Sequence, residues 1–392
     1  MKMIIKKIIN KLGFEVRRKK GVNSIVVTRS TSGKSRGNVL LSYIIEPFLP
    51  DSENNISRSH THFLESVLIV ETFLDLGFNV DIIDYRDSKF IPKKDYSFFV
   101  SARTNFQRIA SHLKKNCIKI VHLDTAHWLF NNYASYSRLH ALKERKRVVL
   151  YNRKWVEKNW AIEHADYAII LGNDFTVATY SYEKKDIYRL PIPTHTEYNS
   201  PKGKNFKECK NTFLWFGSTG FVHKGLDLVL ETFKKAKELK LYVCGPIDAE
   251  KDFEYLYEEE LYRTSNIEML GWVDINSELF LRTISKCIGI IYPSCSEGQS
   301  GAVVTCQKAG LIPIVSYESG VDVHDFGIIL NSCSIEDIGD ALRQIVSSPE
   351  EKLKSMSFKA WQHARNNYTK DVYTNKFNAI IQDIIKREAV KI

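Results

Sequence analysis

Two short segments of the sequence carry residue types suited to binding a phosphorylated ligand. In the first, "FLWFGSTGFVHKGLDLVL", an apolar run ends at Gly217 and Ser218, and Lys224 stands just before the next helical period. A lysine ammonium and the free amides at a helix N-terminus both attract a diphosphate. Taken alone, Lys224 fits equally well as a solvated lysine in a tight turn.

The second segment, "IYPSCSEGQSGAVVTCQKAGLIPIVS", also follows an apolar run. Gly298 and Gly301 would let the backbone come close to a ligand. The amides of this stretch, including those of Gln299 and Ser300, stand at the start of the next helical piece. Glu297, just before them, can accept hydrogen bonds from sugar hydroxyls. The alternative is a Ser/Gly-rich helix cap with an incidental glutamate.

Two other motifs are weaker. The stretch "SGKS" (residues 32–35) resembles the end of a P-loop, but Thr28 occupies the place of the partner glycine and a strand follows instead of preceding. His60 and His62 in "SHTH" could be a metal pair, yet no cysteine or carboxylate cluster stands nearby. A helix cap or a substrate contact explains them better.

Several chemistries lack their motifs. No Gly-x-Gly-x-x-Gly follows a strand, so a dinucleotide-dependent oxidoreductase has no support. Asp-x-Asp is absent as well, so we expect no metal and no cofactor, and protein groups would have to balance a ligand's charge. The scattered cysteines, without C-x-x-C, are typical of reduced thiols in a cytoplasmic protein. They are Cys117, Cys209, Cys244, Cys287, Cys295, Cys306 and Cys333.

The predicted strands and helices that position these segments fall into two successive series along the chain. Short apolar runs alternate with helical periods, which predicts β-α-β units and parallel sheets. In the first series we expect, among others, a helix across residues 104–115 and the strand "IKIVHL" at residues 118–123. The predicted strands of the second series are "TFLWFG", "LKLYVCG", "IEMLGW", "CIGIIYP", "LIPIVS" and "FGIIL". We therefore expect an α/β protein of two Rossmann-like doubly wound domains facing across a cleft. The predicted domains are residues 37–194 and 212–346, joined by a polar linker at 195–211. Residues 347–392 read as helices, the last of them packing back toward the N-terminal domain.

The first 36 residues are predicted to form a basic tail. Residues 1–20 contain eight lysines and arginines against one glutamate, and so hold +7 of the formal net charge of +10. Apolar residues recur there at helical spacing, which is typical of a helix lying on an anionic membrane surface. A basic helix packed on its own protein is the alternative. Because the rest of the chain is nearly neutral, we expect no nucleic acid partner. No apolar run reaches the length of a membrane span, and the start lacks the features of a signal peptide.

The order of motifs in the second series resembles a known family. After a strand and glycine come Lys-Gly-x-Asp-Leu, then Pro-Ser-x-x-Glu-Gly, a helix, and Ala-Gly-x-Pro-x-Val-Ser. From Phe213 to about Leu330 this order resembles the C-terminal domain of retaining glycosyltransferases of the GT-B fold, family four (glycosyl transferases group 1). "HADYAIILGNDF" and "RLPIP" resemble the end of its N-terminal domain. The likeness is looser over residues 38–159 and absent in the tail.

The resemblance implies roles for the donor side of the cleft. Glu297 matches the first glutamate of the family's paired-glutamate motif, which lies by the donor sugar. Lys224 matches the lysine that neutralises the diphosphate leaving group. The loop whose amides meet sugar and phosphate comprises Gly298, Gln299, Ser300 and Gly301.

On the N-terminal side, the resemblance points to a histidine that faces the donor sugar. His127, in "DTAHWLFNN", is the predicted residue and His122 is its rival. A hydrogen-bonded structural histidine is the alternative for either.

Three departures from the family pattern concern donor handling. The second motif glutamate, which would hold both ribose hydroxyls, is Thr305, and one hydroxyl cannot replace a bidentate carboxylate. The arginine usual just after the strand glycine is Ser218. A glycine-rich first loop is missing, since "SYIIEPFLPDSENN" contains no glycine.

The sequence therefore predicts a retaining, metal-independent glycosyltransferase. It would move a sugar from a nucleoside-diphosphate sugar to an acceptor hydroxyl, with a saccharide or lipid-linked saccharide as acceptor, in surface polysaccharide or glycolipid assembly. We expect a cytoplasmic protein, peripheral on the inner membrane face through residues 1–20. The alternative is a non-catalytic GT-B-like subunit that binds a partner enzyme or a membrane.

Overall fold

The computed structural model describes residues 24–49, 61–194 and 196–390. A seven-stranded sheet forms the first domain, in the order β1-β3-β2-β4-β5-β6-β7. β1 runs antiparallel to β3, and the other strands are parallel. The strands are β1 (Val27–Arg29), β2 (Asn38–Tyr43), β3 (Asn79–Asp84), β4 (Phe98–Ala102), β5 (Ile118–Leu123), β6 (Tyr167–Leu171) and β7 (Ile187–Leu190).

Helices cover this sheet because its strands are apolar on both faces. Every residue of β4 and β6 is buried, as expected for parallel strands with helices on either side. The described helices of this domain are α1 (Thr61–Asp75), α2 (Phe106–Ala110), α3 (Trp128–Lys146), α4 (Ala161–His164) and α5 (Asp174–Ala178).

The second domain contains a six-stranded, fully parallel sheet in the order β10-β9-β8-β11-β12-β13. This is the doubly wound order 3-2-1-4-5-6, whose connections reverse between β8 and β11. Ligands bind at that reversal, beyond the carboxyl ends of the strands. The strands are β8 (Thr212–Phe216), β9 (Lys240–Cys244), β10 (Ile267–Gly271), β11 (Gly289–Tyr292), β12 (Ile312–Ser316) and β13 (Ile328–Leu330). The predicted class of two doubly wound α/β domains is confirmed.

The remaining helices surround the second sheet and then return to the first domain. Those of the second domain are α6 (Phe206–Cys209), α7 (Leu226–Lys235), α8 (Lys251–Leu256), α9 (Glu258–Tyr262), α10 (Glu278–Lys286), α11 (Gly301–Lys308) and α12 (Ile335–Ser347). Two C-terminal helices follow, α13 (Glu350–Asn367) and α14 (Lys370–Val390). None of the helices in the described ranges is long and apolar enough to cross a bilayer.

Helices α14 and α3 both help to hold the domains together. In α14, Phe377 packs edge-on against Phe73 of α1, with ring centroids 5.9 Å apart, and Asp383 accepts a hydrogen bond from Tyr188 at 2.8 Å. In α3, Arg138 donates to the carbonyl oxygen of Pro293 at 3.0 Å, and Arg145 forms an ion pair with Asp227 of α7 at 2.5 Å. Helix α3 therefore belongs to the first domain but also packs on the second.

The structure corrects three details of the sequence-based elements. Residues 27–29, predicted to lie in the tail region, form edge strand β1 of the first sheet. The helix expected across residues 104–115 is the single turn α2, because only Phe106, Ile109 and Ala110 bury a continuous face. The sequence did not predict the 19-residue helix α3.

Candidate active site

A cavity of about 320 Å³ separates the carboxyl ends of the two sheets. The predicted residues of the second domain all line it: Gly217, Ser218, Lys224, Glu297, Gly298, Gln299, Ser300, Gly301 and Thr305. These residues come from two loops that end neighbouring strands, β8 and β11, on either side of the topological reversal. The two segments singled out in the sequence, around Lys224 and after Glu297, therefore form one wall of the same cleft.

Lys224 lies in the loop between β8 and α7, with only 7% of its surface exposed. Its Nζ donates to Ser218 Oγ at 3.1 Å and lies 3.7 Å from Glu297 Oε1. The ammonium also lies 5.9 Å from the centroid of the Tyr292 ring. A largely buried cation with one carboxylate neighbour remains able to bind a further anion.

Glu297 follows β11, and its carboxylate is held by residues of the second domain. Its Oε1 accepts hydrogen bonds from Tyr292 at 2.9 Å and from Ser294 at 3.3 Å. Burial favours protonation of this carboxyl, but the positive charge of Lys224, with His223 and Lys154, lowers its pKa below the ordinary value. Glu297 is therefore ionised at neutral pH and acts as a hydrogen-bond acceptor toward the cavity.

The main chain after Glu297 presents unpaired donors. Among the described residues, no group accepts a hydrogen bond from the amides of Gly298, Gln299 and Gly301. The amide of Ser300 differs from the prediction, because it donates to the carbonyl oxygen of Ser319 at 3.0 Å. Three amides, not four, are thus available at the start of α11 for an anion.

Two side chains of this loop have structural contacts. Gln299 Oε1 accepts from the amide of Ile192 at 2.8 Å, and its Nε2 donates to Gly320 at 3.4 Å. Ser300 Oγ caps α11 by accepting from the amide of Val303. The side chains of Gln299 and Ser300 would therefore contribute to donor binding only by shaping the loop. Gln299 can also contribute its backbone amide.

The first domain is in direct contact with the loop that follows β11. The amide of Ala126 donates to the carbonyl oxygen of Glu297 at 3.2 Å, and Thr176 Oγ1 donates to that of Gly298 at 3.2 Å. A Cβ atom built on Gly298 would lie 2.2 Å from the carbonyl oxygen of Asp124. Only glycine permits this approach, so the loop is shaped by contact between domains.

Thr305 lies one turn into α11 and lines the cavity. Its hydroxyl donates to the carbonyl oxygen of Gly301 at 2.8 Å. Toward a ligand, the Thr305 hydroxyl can therefore only accept hydrogen bonds. This geometry supports the expectation that contact here is weaker than a carboxylate would give.

The two histidines considered for the first-domain wall do not line the cavity. His127 is 8% exposed; its Nδ1 accepts from the amide of Leu129 at 3.4 Å and its Nε2 lies 3.2 Å from the hydroxyl of Tyr182. Burial lowers the pKa of His127, which suits a neutral N-cap of α3. His122 is 1% exposed and lies 3.2 Å from Glu65. The structural alternative fits both.

On the first-domain wall, Thr61, His62 and Asp124 line the cavity. The sequence did not indicate Thr61 and Asp124, whereas for His62 it offered a helix cap or a substrate contact. Nδ1 of His62 is hydrogen-bonded to Tyr43 and lies 3.3 Å from Glu65. Asp124 forms an ion pair with Arg103. Asp124 follows β5 directly, and a polar residue at the carboxyl end of a parallel strand was a usable indication.

The weaker motifs have separate outcomes. The "SGKS" turn precedes β2 and so lies at the amino ends of the strands, whereas the cavity lies at their carboxyl ends. His60 and the basic residues 1–20 lie outside the described residues. In the described ranges, no three His, Cys, Asp or Glu side chains form a cluster that could hold a metal ion.

Comparison with protein families identifies the second domain. Residues 210–348 match the family model described as glycosyl transferases group 1. The chain carries a glycosyl transferases group 1 domain. The match begins just before β8 and ends after α12, so the group 1 domain contains both Lys224 and the loop after Glu297. The predicted family resemblance is confirmed. A comparison with curated proteins found no match.

Solved structures share the two-domain arrangement around the group 1 domain. Sucrose-phosphate synthase from Thermosynechococcus elongatus is 11% identical with a TM-score of 0.61, covering 89% of this chain and 99% of that one. HepE from Anabaena, in complex with UDP and glucose, is 9% identical with a TM-score of 0.54, covering 88% and 100%. A TarM mutant from S. aureus, in complex with fondaparinux, alpha-GlcNAc-glycerol and UDP, is 13% identical with a TM-score of 0.52, covering 71% and 54%. This chain thus spans about half the length of TarM. The shared fold is GT-B, as predicted.

Proposed function

We propose that the protein is a retaining, metal-independent glycosyltransferase that uses a nucleoside-diphosphate sugar as donor. One observation carries the proposal. In a group 1 domain, Lys224 and three amides without an acceptor in the described part of the chain lie on one wall of a cleft, together with an ionised Glu297. The cation and the amides suit a diphosphate, and the carboxylate suits sugar hydroxyls.

The ligands of the structural relatives support this choice of donor. HepE holds UDP and glucose, and the TarM mutant holds UDP with a glycosylated glycerol. Both share the GT-B fold with this chain. A nucleotide sugar in the cleft is therefore the donor class that we assign.

The chemistry requires stabilisation of a departing diphosphate. The bond from the sugar's anomeric carbon to phosphate oxygen breaks, and Lys224 with the amides of Gly298, Gln299 and Gly301 balances the charge that develops. The acceptor oxygen bonds to the same face of that carbon, and its proton passes to the leaving phosphate. No side chain then needs to be a strong base, and Glu297 orients the sugar. A cleft between two domains also excludes water.

The same wall supports the proposed metal independence. The sequence contains no Asp-x-Asp, and the protein's own cation and amides face the expected diphosphate. Chelation by EDTA should therefore leave donor binding and turnover unchanged. A requirement for added Mg²⁺ or Mn²⁺ would contradict this part of the proposal.

The acceptor and location are proposed from charge. The basic residues 1–20 would hold the enzyme at the cytoplasmic face of an anionic membrane. A lipid-linked saccharide would then be the acceptor, in surface polysaccharide or glycolipid assembly. Flotation with anionic liposomes, comparing the full chain with a chain lacking residues 1–20, tests the location. Equal flotation of both would contradict it.

Calorimetry with UDP-, GDP-, ADP- and CMP-sugars in EDTA tests the donor. We expect at least one of the UDP-, GDP- and ADP-sugars to bind, and product analysis by NMR to show the donor's anomeric configuration retained. A second candidate is a non-catalytic subunit that binds a partner enzyme. It is favoured by Ser218 and Thr305, because the resemblance implies a charged residue, arginine and glutamate respectively, at these two positions. Binding of none of these sugars would favour that second candidate.

A further inference from the structure

Two lysine side chains lie on the loop that follows β8, and they come from different domains. A Cβ atom built on Gly217 would lie 3.4 Å from Cδ of Lys224. A Cβ atom built on Gly220 would lie 2.6 Å from both Cγ and Cε of Lys154, which belongs to the first domain. Gly220 also has a φ of +92°, so glycine is required there for two reasons. The aliphatic part of Lys154 thus lies flat on the opposite domain's loop.

The backbone of Lys154 is held by α3. Its carbonyl oxygen accepts from Nδ2 of the buried Asn131 at 2.8 Å. Its amide donates to Oδ1 of Asn152 at 2.9 Å, and this oxygen also accepts from Ser135 at 2.9 Å. Lys154 is therefore directed at the loop by a fixed backbone, unlike a lysine on a free surface segment.

The Lys154 ammonium lacks a partner among the described residues, where it forms neither a hydrogen bond nor an ion pair. Burial lowers its pKa, the positive charge of Lys224 lowers it further, and Glu297 and Glu250 oppose these effects. Lys154 in turn contributes to the lowered pKa of Glu297. Lys154, Lys224 and Glu297 thus share one electrostatic environment, although Lys154, unlike the other two, is not among the residues that line the cavity.

A bound donor would leave an excess of negative charge in this environment, and Lys154 would reduce that excess. The diphosphate of a nucleotide sugar carries two negative charges, and Glu297 adds a third. Lys224 is a single cation that already lies 3.7 Å from Glu297. A second cation close to the same loop would offset the repulsion between the diphosphate and Glu297.

We propose that Lys154 is a second cation for the donor's diphosphate, supplied across the cleft by the first domain. This inference rests on the proposed function. Because the two lysines belong to different domains, the anion site is complete only while the domains are in contact. Diphosphate binding and domain contact therefore favour each other.

The test uses Lys154→Met, which keeps an apolar chain on Gly220, and Lys154→Arg, which keeps the charge. The matched control is Lys158→Met, an exposed lysine four residues further along the chain. Calorimetry at low salt compares the best-bound of UDP, GDP, ADP and CDP with its parent nucleoside. We expect Lys154→Met to weaken the diphosphate about tenfold and leave the nucleoside unchanged, with Lys154→Arg and Lys158→Met within about threefold of wild type.

Three results would overturn the inference alone while wild type binds a nucleoside diphosphate. The first is wild-type affinity in Lys154→Met, and the second is an equal loss for nucleoside and diphosphate, which indicates a purely structural role. Thermal unfolding of each variant checks that it folds. A Lys154→Arg variant that folds yet loses diphosphate binding as fully as Lys154→Met also overturns the inference. If wild type binds none of the four diphosphates, the proposed function fails and the inference with it.

Discussion

The ammonium of Lys224 lies 3.7 Å from the carboxylate of Glu297, although 73 positions separate them in the sequence. The pair joins the loop after β8 to the loop after β11 at the topological reversal of the second sheet. In the free protein, Glu297 is the counterion of Lys224. A diphosphate that binds here must share that cation, so the wall is already charged and positioned before the donor arrives.

Removing the cation at Lys224 should abolish most donor binding. Lys224→Met keeps the packing of the side chain but leaves the diphosphate without its nearest charge, and we expect affinity to fall about 30-fold or more. Lys235→Met, at an exposed lysine of α7, is the control. Calorimetry with the best-bound nucleotide sugar measures both. Unchanged affinity in Lys224→Met would place the diphosphate elsewhere.

Substitution of Glu297 should separate binding from turnover. Glu297→Gln removes a negative charge beside the diphosphate, so the nucleoside diphosphate should bind as tightly as to wild type or more tightly. Sugar transfer should fall about a hundredfold, because the amide orients the sugar hydroxyls less strongly in the transition state. Calorimetry and a product assay give the two values. Normal turnover in Glu297→Gln would remove its assigned role.

Thr305 should influence nucleotide handling. A carboxylate introduced by Thr305→Glu, one turn into α11, would be a charged acceptor with two oxygens. The Thr305 hydroxyl is one neutral oxygen whose proton is already donated to Gly301. We expect donor affinity or the preference among nucleotides to change by about fivefold or more. Thr305→Val is the matched neutral change. The same dissociation constants for wild type and Thr305→Glu would mean that this turn of α11 does not meet the nucleotide.

Acid should destabilise the loop through His223. This residue is 6% exposed, and its Nε2 lies 2.5 Å from the carbonyl oxygen of Ser296. Burial lowers the pKa of His223 to about 4, against opposing effects of Glu297 and Ser296. The unfolded chain takes up a proton near pH 6.5 that the folded chain refuses, so up to about 3 kcal/mol of stability is lost as pH falls from about 6.5 to about 4.

Urea unfolding across that range, for wild type and His223→Gln, measures the effect. Glutamine can still donate to Ser296 but does not titrate. The difference in unfolding free energy between the two proteins should therefore shrink or reverse as the pH falls. Parallel curves for both would show that His223 is not the titrating group.

The sequence predicted the strands well because their apolar runs are buried on both faces. β5 spans the predicted residues 118–123, and the second-domain strands lie within the predicted runs. β1 was missed because three edge residues gain their structure only by pairing with β3, about fifty positions away. α3 was missed because it buries residues toward two domains while Leu129, Tyr133 and Tyr136 stay exposed, which blurs its helical period.

The donor wall could be predicted because it is built within one domain from the ends of neighbouring strands. The opposite wall was harder to predict. Asp124 could have been found from its place directly after β5, but Thr61 meets the second domain only through the relative position of the two sheets. His127 illustrates the limit. It follows a strand end as a functional residue would, yet the start of α3 turns its ring into a helix cap. Side-chain direction at a helix start depends on contacts that spacing does not reveal.

A crystal structure with the best-bound nucleotide sugar tests the central claim most directly. We predict phosphate oxygens within about 3 Å of Lys224 Nζ and of the amides of Gly298, Gln299 and Gly301. The sugar hydroxyls should face Glu297. A diphosphate bound outside the cleft, or one inside it that leaves Lys224 paired only with Ser218 and Glu297, would contradict the account.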